Sequence, residues 1–409
     1  MKKLFQLNAT LILGCLILIS QIAYSQDWPQ WRGPNGNGKV TGFKAPKTWP
    51  KELTQSWKIN VGASDATPAL VKGKLFLITR QASDEVILCI DAATGKELWK
   101  NTYPAIAVSG ASAAQHPGPR STPAVVNGKV ITLGASGILS CLDEASGKLL
   151  WRKENTANLI LRFFTGTSPL VTDGMCIVHL GKEGDGQLIA YDLNSGNEKW
   201  KWTGDGPSYS TPSVMTIEGK KLLIAISEKN VNALDLSSGK LYWQIPAPSQ
   251  QRFYNCVSPF IDGQTIVFSG QGTGSKAVKV EKQGDGYTTK DLWANQEVGA
   301  KWNTPVLKDG FLFGFTDQKR IYCLNYATGQ TAWIDNTVNS DFSSIVDCGS
   351  VLVGLTSTDD LIVLTPDGKE YKEVAKYKVA ETPIYAFPVI SGDNIYIKDF
   401  ESLALLKIK

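Results

Sequence analysis

The stretch Leu88-Cys89-Ile90-Asp91-Ala92-Ala93-Thr94-Gly95-Lys96-Glu97-Leu98-Trp99 decides the fold, because the chain repeats it. An apolar run ends in Asp, two residues intervene, [ST]-Gly-Lys follows, and a Trp closes the phrase. The pattern returns from Leu142-Asp143 through Ser146-Gly147-Lys148 to Trp151. Further copies run from Asp192 through Ser195-Gly196 to Trp200, from Asp235 through Ser238-Gly239-Lys240 to Trp243, and from Asn325 through Thr328-Gly329 to Trp333. Thr365-Pro366-Asp367-Gly368-Lys369 is a shortened copy, and Trp293 ends a degenerate one. A strand, a tight turn carrying Asp and Gly, and a second strand with an aromatic anchor together spell a β-hairpin.

A second phrase precedes each hairpin: [ST]-Pro, a short apolar run, then a Gly turn. It stands at Thr67-Pro68, Thr122-Pro123, Ser168-Pro169, Thr211-Pro212, Ser258-Pro259 and Thr304-Pro305, with Phe387-Pro388 and the Pro-less Ser343-Ser344 as variants. Pro opens a strand where its missing N–H costs least. From Pro68 to Pro388 there are seven steps of about 46 residues, the length of one four-stranded propeller blade. Eight openings predict an all-β, eight-bladed propeller of four-stranded antiparallel blades. The last blade runs out of chain at Leu403–Ile408 after three strands. Ser56-Trp57-Lys58-Ile59-Asn60-Val61 supplies the fourth from the other end, its Trp matching every other fourth strand. That closure removes both open edges of the array. The expected division is therefore a leader at 1–25, an N-terminal extension at 26–55 and one propeller domain at 56–409.

The 409 residues include 12 Trp and 38 Gly, which the anchors and turns largely account for, but only 2 His. That scarcity rules out His-rich metal centres and routes any His-dependent chemistry through His116 or His179. Residues 1–25 read as a secretory leader: Lys2-Lys3, an apolar run from Leu11 to Ile22, and small residues at Ala23 and Ser25 before a cleavage site. A periplasmic or extracellular protein is expected, with cleavage after Ser25. Cys15 follows Ile12-Leu13-Gly14, loosely like a lipoprotein box, but the apolar run continues past it, which argues against a lipid anchor. No later stretch approaches the length of a spanning helix, so no stable membrane insertion is expected after cleavage. Removing the leader leaves 40 basic against 38 acidic residues. This balance excludes nucleic acid as a natural partner. Cys89, Cys141 and Cys323 each sit two residues before the Asp or Asn of a repeat, the place of a small buried residue rather than of a disulfide.

The hairpin units, the [ST]-Pro openings and their period resemble the PQQ-like repeat. That repeat builds the eight-bladed propellers of quinoprotein alcohol dehydrogenases and of the outer-membrane protein assembly scaffold related to them. Asp27-Trp28-Pro29-Gln30-Trp31-Arg32-Gly33-Pro34 is similar to the opening of many exported bacterial members, and the resemblance covers Asp27 to Ile408. It implies, for the dehydrogenases, a quinone in the funnel at one channel end. There the quinone is held by Arg, a stacking Trp and often an adjacent-Cys disulfide, beside Ca²⁺ on Glu, Asn and Asp. This chain has no adjacent Cys pair and no such acid cluster of assignable spacing.

The loops just before the inner strands converge near the axis and carry basic and aromatic residues. They place Arg120, Arg162, Arg252 and Lys301 beside Tyr209, Tyr254, Trp302 and Tyr385, with Asn255 and Asn303 among them. Guanidinium forks suit carboxylates, and aromatic faces suit flat rings or sugars. This rim is expected to bind an anionic or cyclic ligand or a protein. His116, in a Gly/Pro loop feeding the rim, is a candidate acid or base. His179 lies in a strand and reads as a satisfied core residue. The Gly-Asp-Gly pieces at 184–186, 204–206 and 284–286 read as turns, because none has calcium-loop spacing. The inserts between Trp99 and Thr122 and around Gln271–Lys290 read as partner-binding loops.

The favoured reading is a monomeric envelope scaffold that binds a ligand or a protein, with no cofactor and no catalytic or metal residues. The alternatives are a PQQ-dependent dehydrogenase using PQQ with Ca²⁺, and an accessory protein for carbohydrate processing.

Overall fold

Each repeat folds as one antiparallel blade, and the computed structural model describes residues 26–107, 111–154, 163–247, 249 and 255–408. The first blade comprises Ala69–Val71, Lys74–Gln81, Asp84–Asp91 and Glu97–Pro104. The next six span 124–153, 170–204, 213–246, 260–295, 306–334 and 343–378, each with four strands in chain order. The eighth holds Val389–Ser391, Asn394–Lys398 and Ser402–Lys407, and its outermost strand is Thr54–Asn60 from the other end of the chain. Trp57 stands opposite Leu405 in that pairing. The closing strand begins two residues before the expected domain boundary at 56. Among the described residues the one α-helix is the single turn Ala111–Gln115.

The repeated phrase does two jobs. Within a blade, Asp91 Oδ1 accepts from the backbone N–H and the hydroxyl of Thr94, which fixes the turn. Asp143 and Ser146, and Asp192 and Ser195, repeat this. The Trp acts between blades: Trp99 Nε1 donates to the Glu144 carbonyl at 3.0 Å, and Trp151 to that of Leu193 at 3.1 Å. Trp200, Trp293 and Trp333 reach Leu236, Tyr326 and Asp367 in the same way. Trp99, Trp151, Trp200 and Trp293 pack on the turn glycines Gly147, Gly196, Gly239 and Gly329 of the neighbouring blade, whereas Gly368 meets Phe311. A Cβ on Gly147 would lie 2.4 Å from the Trp99 ring, and Gly147 also has φ +70, so two constraints select glycine there. Trp243 Nε1 finds no such carbonyl, because the fifth blade lacks the Asp-x-x-[ST]-Gly turn. That blade instead carries two ten-residue strands, Gly274–Gln283 and Gly286–Asn295, so its insert is an extended hairpin, not a loop.

The small residue before the repeat Asp also has a reason. Cys89, Cys141 and Cys323 stand directly opposite Trp99, Trp151 and Trp333, at a β-bulge, and Ala190 and Ala233 hold the equivalent places. A larger side chain would crowd the indole. The six cysteines among the described residues are all free thiols.

Around the channel, the hydroxyls of the [ST]-Pro phrase tie blade to blade. Thr122 N donates to Ser168 Oγ, Ser168 N to Thr211 Oγ1, Thr211 N to Ser258 Oγ, and Ser258 N to Thr304 Oγ1, all within 2.9–3.1 Å. Phe387 N closes onto Thr67 Oγ1 at 2.8 Å. The Ser or Thr is there for the neighbouring blade, which needs an acceptor for an inward N–H.

Residues 26–40 are built into this ring. Trp28 and Leu70 exchange backbone hydrogen bonds at 2.7 and 2.9 Å, Val125 N donates to Pro29 O, and Val40 N to Asp347 O. Trp31 meets Phe387 edge-on at 4.7 Å and donates to Ser258 Oγ. Arg32 is fully buried, and its guanidinium donates to the carbonyls of Thr304, Pro305, Gly36 and Asn37. The segment thus spans the channel end away from the rim.

Candidate functional site: the rim of the channel

The loops entering the inner strands place Asp65, His116, Arg120, Lys301, Trp302, Asp341, Phe342 and Tyr385 at one end of the channel, joined by mutual contacts. His116 Nδ1 lies 2.8 Å from Asp65 Oδ2. Arg120 Nε approaches the same oxygen at 3.8 Å, donates through a second nitrogen to the His116 carbonyl at 3.0 Å, and lies 5.5 Å over the Phe164 ring. Burial pulls the Arg120 guanidinium down from its ordinary value, and the nearby Asp65 and Tyr209 oppose this. Lys301 pairs with Asp341 at 3.3 Å and sits 5.0 Å over the Trp302 ring.

The aromatic groups form one continuous row. Trp302 stacks on Phe342 at 4.6 Å and 23°, Phe342 meets Tyr385 edge-on at 5.0 Å, and Tyr385 meets His116 edge-on at 4.6 Å. All four rings are half-buried. Burial, then Asp65 and Asp359, raises the Tyr385 phenol, which stays neutral at physiological pH. Tyr209 comes from the fourth blade, and its ring fills the space a side chain would need at Gly166.

The ten residues expected at the rim divide three ways. Arg120, Tyr209, Lys301, Trp302 and Tyr385 are at the rim. Arg162, Arg252 and Tyr254 lie outside the described residues. Asn255 and Asn303 are buried, with their amides committed inside the fold. Asn255 Nδ2 donates to the carbonyls of Ser227 and Glu228 and its Oδ1 accepts from Ser249 N; Asn303 exchanges hydrogen bonds with the Phe315 backbone. Spacing alone does not separate such backbone latches from ligand donors. The basic character expected of the rim is also muted. Among the described residues Arg120 and Lys301 both face a carboxylate, Asp65 or Asp341, so an anion would have to compete with an existing partner.

The sequence singles out His116 but not its pairing with Asp65, since 51 residues separate them. It also missed the seating of Arg32. The one available signal was two Trp and an Arg inside a Gly/Pro-rich stretch. His179 is buried as expected but is not satisfied: neither ring nitrogen has a hydrogen-bond partner among the described residues. Asp205 is held as a turn latch, accepting from Ser227 Oγ and Lys229 N.

The donor set among the described residues does not fit Ca²⁺. Among the described residues no three His, Cys, Asp or Glu side chains gather where one ion could be held. Asp341, which pairs with the Lys301 that lies over Trp302, is already engaged.

A family model described as outer membrane protein assembly factor BamB matches residues 83–335. The chain is 22% identical over 360 residues to the outer membrane protein assembly factor BamB of Burkholderia pseudomallei, covering 85% of each chain. It is 30% identical over 161 residues to a quinohemoprotein alcohol dehydrogenase of Comamonas testosteroni, 37% of this chain and 22% of the enzyme. Solved structures share the fold, two of them as follows. BamB from Moraxella catarrhalis superposes with TM-score 0.64 and 13% identity, over 87% of this chain and 98% of that one. The Comamonas testosteroni dehydrogenase superposes with TM-score 0.65 and 14% identity, over 93% and 80%.

Proposed function

Since this chain belongs to the outer membrane protein assembly factor BamB family, we propose that it is a non-enzymatic scaffold of the cell envelope that holds a protein partner at the rim. The row Trp302–Phe342–Tyr385–His116 carries this reading. Half-buried rings on a rigid closed ring present large apolar area at low entropic cost, as protein-binding anchors do. The paired cations at Arg120 and Lys301 give the row a polar border, which favours a polypeptide with aromatic or aliphatic side chains over a free anion. The leader-like segment at 1–25 supports a periplasmic setting for this activity.

The test is site-specific photocrosslinking from position 302 in the producing cell, with Phe342→Ala and Tyr385→Ala as competitors of the contact. A discrete envelope-protein adduct that both substitutions weaken at least tenfold supports the scaffold. An unchanged adduct defeats it. So does a bound chromophore with dye reduction by alcohols once PQQ and Ca²⁺ are added, which supports the dehydrogenase.

A further inference from the structure

The geometry points to a second binding site, at the channel end away from the rim, that takes an extended, uncharged peptide segment as an added strand on the third blade. Eight inner strands line the channel, and at the second residue after the Pro the backbone N–H and C=O turn inward, away from the sheet ladder. In the first blade this residue is Leu70, whose N–H and C=O are both taken by Trp28; in the second it is Val125, whose N–H is taken by Pro29 O. Leu70 and Val125 are buried. In the third, fourth and fifth blades the equivalents are Val171, Val214 and Ile261. All three are half-exposed, and among the described residues no hydrogen bond reaches their inward backbone groups. They line a cavity of about 360 Å³ between the 30–37 segment and these blades.

The cavity has the means to recognise a backbone. Unpaired strand edges are templates for another strand, and the chain already uses that mode at Leu70. The third blade is the most open, since all of Leu170–Thr172 is half-exposed. Val171 faces Cys176 across its hairpin at the place where Leu70 faces Leu75, so its N–H points inward, off the ladder, as that of Leu70 does towards Trp28. The lining contains no charged side chain. Its polar groups are amides and hydroxyls, including Gln30, Asn35 and Thr172, with Trp31 as an aromatic wall. A peptide carrying a charge there would lose hydration without a partner, so the site selects neutral segments. This site is separate from the rim and does not depend on the scaffold reading.

The probe is the blocked tripeptide acetyl-Trp-Pro-Gln-amide, which copies residues 28–30, the segment seated on the first two blades. Calorimetry on the mature protein should show saturable one-to-one binding. The same peptide with free, charged termini should bind more weakly. Val171→Pro removes the inward N–H without touching the hairpin ladder and should weaken binding about fivefold, the value of one hydrogen bond. Thr172→Trp fills the cavity and should abolish binding, whereas Phe342→Ala at the rim should leave it unchanged. The proposal is overturned if the folded wild-type protein shows no saturable binding at millimolar peptide. It is also overturned if both cavity variants, with native circular dichroism, bind as well as wild type, or if maltose displaces the peptide at equal concentration, which would mark the cavity as a sugar site.

Discussion

Trp57 Nε1 donates to the carbonyl of Ala92 at 3.2 Å, and its ring covers Gly95, where a Cβ would lie 2.9 Å away. The strand from the N-terminus therefore not only completes the eighth blade but docks that blade onto the first, as Trp99 docks the first onto the second. Loss of this contact opens the ring at its one seam. Trp57→Ala should cost about 2–4 kcal/mol in denaturant unfolding, a little below the range of about 3–5 kcal/mol for a fully buried aromatic because Trp57 is half-buried. Deleting residues 403–409 should abolish the single cooperative transition altogether, because it removes the strand that Thr54–Asn60 pairs with.

Ser258 Oγ accepts from Thr211 N at 3.1 Å and from Trp31 Nε1 at 3.3 Å. Ser258→Ala orphans two donors and should destabilise by about 1–3 kcal/mol in urea unfolding. Thr122 sits at the same place in its blade, but its Oγ1 has no partner among the described residues. Thr122→Val should therefore cost under about 1 kcal/mol, and equal costs at the two sites would refute the blade-to-blade role of the hydroxyl.

Arg32 neutralises four carbonyl dipoles with one buried cation. Arg32→Met keeps the volume and removes every donor. Expected outcomes are a loss of about 3 kcal/mol and proteolytic cleavage within 33–40 that the wild type resists. A variant as stable and as resistant as wild type would show that Trp28 and Trp31 alone seat the segment.

His179 is buried without a partner, and burial pulls its imidazole from 6.5 to about 4, with Asp205 acting weakly the other way. The unfolded chain takes up the proton below pH 6.5, the folded chain only near 4. The unfolded state therefore holds more protons across that window, and stability falls as pH drops from 6.5 towards 4, by about 3 kcal/mol at the lower end. His179→Phe should flatten this part of the stability–pH profile; an unchanged slope would assign the acid sensitivity to carboxylates.

The ring was legible because its causes are local and repeated. The Asp of each turn binds backbone three residues on, Gly takes a positive φ, and Pro opens a strand, so each leaves a signature at fixed spacing in one stretch of chain. End closure was legible for the same reason: Trp57 matches the Trp of other fourth strands. The functions of the repeated residues were less so. The hydroxyl before Pro serves the preceding blade, 46 residues earlier in the chain, and the Trp serves the next turn, which a single repeat does not reveal.

By itself the sequence determined an all-β ring of eight blades, sealed by its own first strand, and the loops that would meet at its rim. Only the tertiary structure decided which side chains at that rim are available. Asn255 and Asn303 satisfy backbone groups, Arg120 and Lys301 answer Asp65 and Asp341, and the aromatic row emerges from four different loops. It also decided that 26–40 belongs inside the ring. These outcomes depend on burial and on partners distant in sequence, and the desolvation of a polar group is settled only once the chain around it has closed.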